Sequence, residues 1–210
     1  METNAEAAIT GVILAGGKST RFGSDKAAAL LLGRPMLQWS VSALGAVCDE
    51  LVVVVAKDQV LPAFDAPVPV KVSVDAVEGL GPLAGLVTGL SAVTTQLCFA
   101  VSCDAPLIRP ELISALASLA PDYDVVCPYV GGFMQPLAAV YRPATCVPVF
   151  AQFVERGRLK VTAAFGPLRT KVVREDELSR VDPGLESFLN ANRPEMLDEL
   201  AAIASRRLQR

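Results

Sequence analysis

A three-layer α/β fold with a doubly wound, mostly parallel central sheet is predicted for this chain by two observations. Short apolar, β-branched runs recur along it, separated mostly by stretches long enough to form a helix. Aromatics make up only 6% of the residues, while Val, Leu and Ala dominate, a balance suited to strands buried on both faces.

The elements follow in order. Ile9 to Leu14 predicts a strand that opens straight into a glycine-rich loop. Pro35 introduces a helix from Met36 to Val47, with Leu37, Val41 and Leu44 at helical spacing. Strands are expected at Leu51 to Val55 and Val68 to Val74. A second helix runs through Leu83, Leu86, Val87 and Leu90, with Pro82 in its first turn. After the strand Leu97 to Val101, Cys103-Asp104-Ala105-Pro106 reads as a turn before a helix starting near Arg109. Val125 to Cys127 is a strand, and Gly131-Gly132 a turn. Gln135-Pro136 opens a strand ending at Tyr141, where Pro136 marks a sheet edge or a bulge. A helix from Ala144 to Glu155 stops near Gly157. Arg156, Arg158 and Lys160 cluster there, first as partners of the helix C-terminus and second as an anion site. Asn190-Ala191-Asn192 offers a cap before Pro194 and a last helix towards Leu208.

Several function classes drop out. The formal net charge of -3 argues against a generic nucleic-acid or anionic-membrane surface, so any phosphate binding must be local. No histidine occurs, which excludes Ser-His-Asp triads, His-based zinc sites and imidazole bases. The five cysteines, Cys48, Cys98, Cys103, Cys127 and Cys146, form no Cys-x-x-Cys pair and read as reduced core thiols. No basic leader and no apolar run of about 18 residues is present, so a cytoplasmic location is expected. At 210 residues and 52% hydrophobic, the chain suits one domain over 1–210, with a nucleotide half at about 9–128 and an acceptor half at about 129–210.

The chemistry concentrates after the strands, where doubly wound sheets bind ligands. Leu14-Ala15-Gly16-Gly17 leads into Arg21 and Lys26, joining backbone freedom to two cations, as an anion cradle for a nucleoside triphosphate requires. It is not a P-loop, because five residues rather than four separate Gly11 from Gly17-Lys18-Ser19. Asp75 and Asp104 each follow a strand. Either alone is an ordinary turn or cap residue; beside a cationic loop they suggest carboxylates holding a divalent metal against phosphate. Gly79 to Gly85 lacks the dinucleotide spacing. Gly81 is read equally as helix entry and as a wall against a base or ribose.

Five stretches carry a resemblance: Leu14-Ala15-Gly16-Gly17 continuing through Arg21, Gly23 and Asp25-Lys26; Gly81-Pro82-Leu83-Ala84-Gly85; Cys103-Asp104-x-Pro106; Gln135-Pro136-Leu137; and Phe188-Leu189-Asn190-x-Asn192-x-Pro194-Glu195. Together, and over nearly the whole chain, they resemble the molybdenum cofactor guanylyltransferases. The first stretch alone indicates only the wider nucleotidyltransferase superfamily, with its Rossmann-like fold and its sugar-phosphate and cytidylyl members. The resemblance implies GMP transfer from GTP to the terminal phosphate of molybdopterin (the molybdenum cofactor), with Mg²⁺ required and pyrophosphate released. By that resemblance Leu14, Ala15, Gly16, Gly17 and Lys26 hold the triphosphate, Asp75 contacts the guanosine and Asp104 binds the magnesium. Mg²⁺ on Asp104, together with Lys26 and Arg21, would then offset the charge of the reacting phosphates. Gln135, Asn190, Asn192 and Arg158 are the candidates to face the pterin. Lys57 stands where family members can carry an Asn. A molybdoenzyme or a cofactor-delivery protein is the candidate macromolecular partner, with no nucleic acid and no membrane.

Overall fold

The computed structural model describes residues 8–16, 26–75, 79–192 and 195–209. Ten strands and six helices follow one another: β1 (Ile9–Leu14), β2 (Leu30–Leu31), β3 (Arg34–Pro35), α1 (Met36–Gly45), β4 (Glu50–Ala56), β5 (Val70–Asp75), α2 (Gly81–Ser91), β6 (Leu97–Ser102), α3 (Pro110–Ser118), β7 (Val125–Val130), β8 (Phe133–Met134), β9 (Ala138–Tyr141), α4 (Pro143–Glu155), β10 (Thr170–Arg174), α5 (Glu175–Leu178) and α6 (Met196–Leu208). The central sheet has the order β10-β7-β9-β6-β1-β4-β5, with β8 on the end of β7, while β2 and β3 form a separate ribbon. Pairings β1–β4, β1–β6, β4–β5 and β7–β10 are parallel; β9 runs antiparallel to both β6 and β7.

The expected alternation therefore forms a mostly parallel sheet, and the apolar runs are buried as expected except in β5, an edge strand on which Val72 and Val74 are exposed. Residues of β1 alternate between two cores. Ile13 joins Leu37, Val41 and Leu44 of α1 and Leu112, Ile113 and Leu116 of α3. Val12 and Leu14 join Leu83, Leu86 and Leu90 of α2 and Phe150 and Phe153 of α4. A smaller cluster seats Leu200, Ile203 and Ala204 of α6 on Leu31, Met36 and Leu107. No helix among the described residues is long and apolar enough to cross a membrane.

Three strand expectations change. Pro136 marks neither an edge nor a bulge: β9 begins at Ala138 and lies inside the sheet between β6 and β7. The proline stands in the preceding turn, where its missing N–H breaks no ladder, and its carbonyl accepts the Tyr141 hydroxyl at 2.6 Å. Strand β10 was not expected at all. Its Thr-Lys-Val-Val-Arg sequence is too polar to read as a strand and fits only because it closes one edge of the sheet. The strand expected from Val68 starts at Val70, just past Pro69.

Candidate active site

The site is built where β1, β4 and β6 end. Gly16 comes close enough to β4 that a Cβ on it would stand 2.9 Å from Ala56 N, so only glycine fits without a shift. The Ala15 and Gly16 amides both donate to Val54 O, at 2.8 and 3.0 Å. Gln59 completes the clasp, its Oε1 accepting from Ala56 N at 2.8 Å and its Nε2 donating to Ala15 O at 3.0 Å. The two amides that the glycine loop was expected to offer to phosphate are thus committed to the sheet. Gly17 and Arg21 lie outside the described residues.

Lys26 and Asp104 meet. Lys26 Nζ lies 2.7 Å from Asp104 Oδ2, and it also donates to Asn192 Oδ1 at 3.4 Å. Three local features bring them there. β1 and β6 are neighbours in parallel register, with Leu14 opposite Ser102. Cys103 N donates to Leu14 O at 3.1 Å, which sets Asp104 one strand away from the glycine exit. Ala191 N donates to Asp104 O at 2.7 Å, which draws in the Asn-x-Asn segment.

Beside this pair a cleft of about 240 Å³ is lined by Asp104, Gln135, Asn190 and Asn192, with Pro136 and Phe188 among its apolar surfaces. Three of the four expected acceptor residues come together there. Arg158 does not line the cleft: it is exposed, and its guanidinium lies over the Phe153 ring at 4.4 Å. Nor do Asn190 and Asn192 cap the last helix, since α6 starts at Met196 after Glu195 with no side-chain cap. Gln59, Ser187 and Phe188 were not anticipated as site residues. For Gln59 the only signal was a lone amide side chain just past an apolar strand.

Asp75 lies elsewhere. In the order β6-β1-β4-β5, three strand spacings of about 4.8 Å separate its strand from that of Asp104, roughly 14 Å, too far for both to hold one ion. Asp75 faces α2: Thr88 Oγ1 donates to its Oδ1 at 3.5 Å, and a Cβ on Gly85 would stand 3.6 Å from Leu14 and 3.9 Å from Asp75 Oδ2. Gly81 opens α2 on the same side. Lys57 is exposed in the turn after β4. Covalent catalysis by thiol finds no support at Cys48, Cys98, Cys127 or Cys146: burial pushes Cys48, Cys127 and Cys146 up to about 12, and Cys98 rises for the same reason.

A family model described as the MobA-like NTP transferase domain matches residues 11–170. A molybdenum cofactor guanylyltransferase from Desulfosudis oleivorans is 34% identical over 197 residues, covering 93% of this chain and 95% of the relative. A probable molybdenum cofactor guanylyltransferase from Natronomonas pharaonis is 36% identical over 194 residues, covering 90% and 95%. Among solved structures, the molybdopterin-guanine dinucleotide biosynthesis protein A of Archaeoglobus fulgidus shares the fold with a TM-score of 0.77 at 21% identity, covering 94% of this chain and 99% of that one. A cytidylyl enzyme from Anaerococcus prevotii, 4-diphosphocytidyl-2C-methyl-D-erythritol synthase, shares it with a TM-score of 0.70 at 14% identity, covering 98% and 100%. With a cation and a carboxylate paired at the strand ends and a family match that spans most of its length, this chain belongs to the MobA-like NTP transferase family.

Proposed function

We propose that this protein transfers GMP from GTP to molybdopterin, forming the guanine dinucleotide cofactor and releasing pyrophosphate. One observation carries the reading. The Lys26–Asp104 pair stands at the mouth of a cleft, in a chain that matches relatives named molybdenum cofactor guanylyltransferase over nine-tenths of its length.

The reaction needs no enzyme nucleophile. A terminal phosphate oxygen of molybdopterin forms the new bond to the α-phosphorus of GTP, the bond to the β-phosphate breaks, and pyrophosphate leaves with the electron pair. The obstacle is charge: two unit charges at 4 Å oppose each other by about 4 kcal/mol at an effective dielectric of 20. Lys26 offsets part of this by exchanging Asp104 for phosphate oxygens, and Arg21 is assigned the same task. Asp75, at the end of β5 beside α2, faces the nucleoside side; Gln135, Asn190 and Asn192 face the pterin.

Asp104 is the residue that would hold Mg²⁺. No group of three or more metal-ligating side chains occurs among the described residues. A single hard carboxylate fits an ion that takes one or two protein oxygens and completes its shell with phosphate and water. Bound there, Mg²⁺ would supply charge neutralisation at the phosphates and the leaving group. A cytoplasmic location and hand-over to a molybdoenzyme or a delivery protein belong to the same reading. The purified protein, given Mg²⁺, GTP and molybdopterin, should release pyrophosphate and form the dinucleotide. Release with CTP but not GTP, or with neither, overturns the assignment.

A further inference from the structure

Behind the cleft, four charged side chains from three separate segments meet in one network, and one of them, Arg207, reaches the Leu107 carbonyl. Arg207, in the last turn of α6, donates through Nη1 to Leu107 O at 2.7 Å. Its Nε and Nη2 reach Glu186 Oε2 at 2.8 and 2.6 Å. Arg109, which precedes α3, reaches the same Oε2 through Nη2 at 3.4 Å and Asp182 Oδ1 through Nε at 3.1 Å. Asp182 is fully buried, lies 3.9 Å from Arg207 Nη2, and accepts from Ser187 N at 2.8 Å. The Ser187 hydroxyl accepts from Arg109 N at 3.1 Å and donates to Leu107 O at 3.4 Å.

We infer that Arg109 and Arg207 are positioning residues for the acceptor side of the cleft, clamping the wall Ser187 to Asn192 against the loop that carries Asp104. The two ends of this wall are tied to one loop: Ser187 to Leu107 O by the clamp, and Ala191 to Asp104 O by a 2.7 Å backbone bond. Ser187, Phe188, Asn190 and Asn192 between them line the cleft, and Asn192 touches Lys26. Stability alone does not account for such a network, because apolar side chains of similar volume commonly do as well in a buried site. Direction, which apolar packing does not supply, comes from the hydrogen bonds of Arg207 to Glu186 and Leu107 O and of Arg109 to Glu186; Arg109 Nε, Asp182 Oδ1 and Arg207 Nη2 meet as charges without hydrogen-bond geometry. Glu186 stays ionised in the clamp. Burial acts to raise its pKa, but the hydrogen bond and charge of Arg207, then those of Arg109, hold it below the usual value.

Only the identity of the acceptor rests on the guanylyl-transfer reading. The test uses the full-length chain with Arg207→Met, which keeps the bulk and removes the fork. The KM for molybdopterin should rise roughly ten- to hundredfold, as for a misplaced binding wall, while the KM for GTP stays within about twofold. Arg207→Lys should stay impaired, since one ammonium cannot span Leu107 O and Glu186 together. Backbone exchange of Ser187 to Asn192 should quicken while that of β1 does not. A folded Met variant with an unchanged molybdopterin KM, or with both KM values raised alike, overturns the proposal. Should that variant not fold, Glu186→Gln must show the same split in smaller degree, and its absence is equally fatal. If the wild-type chain releases no pyrophosphate from GTP and molybdopterin, the guanylyl reading fails. Exchange at Ser187 to Asn192 then decides the clamp alone, and an unaltered rate sinks it.

Discussion

At the scale of the residue, the Lys26–Asp104 contact sets the sharpest expectations. Both side chains are partly accessible, at 24% and 12%, so as an ion pair they contribute about 1 kcal/mol or less. In the proposed reaction their value would lie in the Lys26 charge and an Asp104-held cation beside phosphate, where losing one such group costs about 10²–10³ in turnover. Asp104→Asn and Lys26→Ala should therefore lose GMP transfer by that order, measured as pyrophosphate release, with melting temperatures nearly unmoved; wild-type turnover in either variant would remove its assigned role. Protonation gives a second expectation. For Asp124, burial acts to raise the pKa, but the Arg169 backbone N–H, the Thr145 hydroxyl and the Arg169 charge together hold it below its usual 3.8. Glu186 is likewise held below 4.5. Groups lowered in the folded state stabilise it fully above their unfolded values and lose that contribution as pH falls through the folded ones. Stability in urea should be level near neutrality, decline below about pH 4.5 and decline less steeply in Glu186→Gln. An equal acid slope in that variant would show that the carboxylate takes no part.

At the scale of the element, helix α2 shows how close the layers approach. A Cβ on Gly89 would stand 2.5 Å from Val12 Cγ1 and 2.9 Å from Val54 Cγ2, both on buried strands of the sheet. Gly89→Ala gains up to about 1 kcal/mol of helix propensity and meets an overpacking cost of about 1–3 kcal/mol. It should unfold at lower denaturant than wild type, and an unchanged midpoint would mean that the helix shifts outward freely. Strands β1, β4 and β6 and helices α1 to α4 and α6 were legible because their apolar residues keep one period over a whole element. Others were not. β10 has one fully buried residue, Val173, among polar neighbours, and its strand character comes from pairing with β7 rather than from its own pattern. Pro136 misled because proline inside a ladder and proline two residues before it look alike until the register is known.

At the scale of the whole molecule, the cleft draws its surfaces from the exit of β6, the entry to β9, and a C-terminal segment more than 80 residues further along than Asp104, whose Asn192 meets Lys26. A ligand that joins these segments should stabilise the molecule as a unit. GTP with Mg²⁺ at 100 times its dissociation constant should add about 2.7 kcal/mol, raising the melting temperature by about 5 to 10 °C. Lys26→Ala should blunt that shift, and an equal shift in the variant would place the triphosphate elsewhere. From its order of residues alone this chain specified the alternating layers, the cationic glycine exit, the strand-end Asp104 and the kinship that these motifs carry. Such features are local, set by periodicity and by turn chemistry over a few neighbouring positions. Only the folded arrangement decided that the Ala15 and Gly16 amides serve the sheet, that Asp75 stands apart from Asp104, that Arg158 packs on Phe153, and that two distant arginines brace the Asn190–Asn192 wall. Those outcomes depend on which strands become neighbours and which donors find their acceptors first, and both are fixed by contacts between residues far apart in the chain.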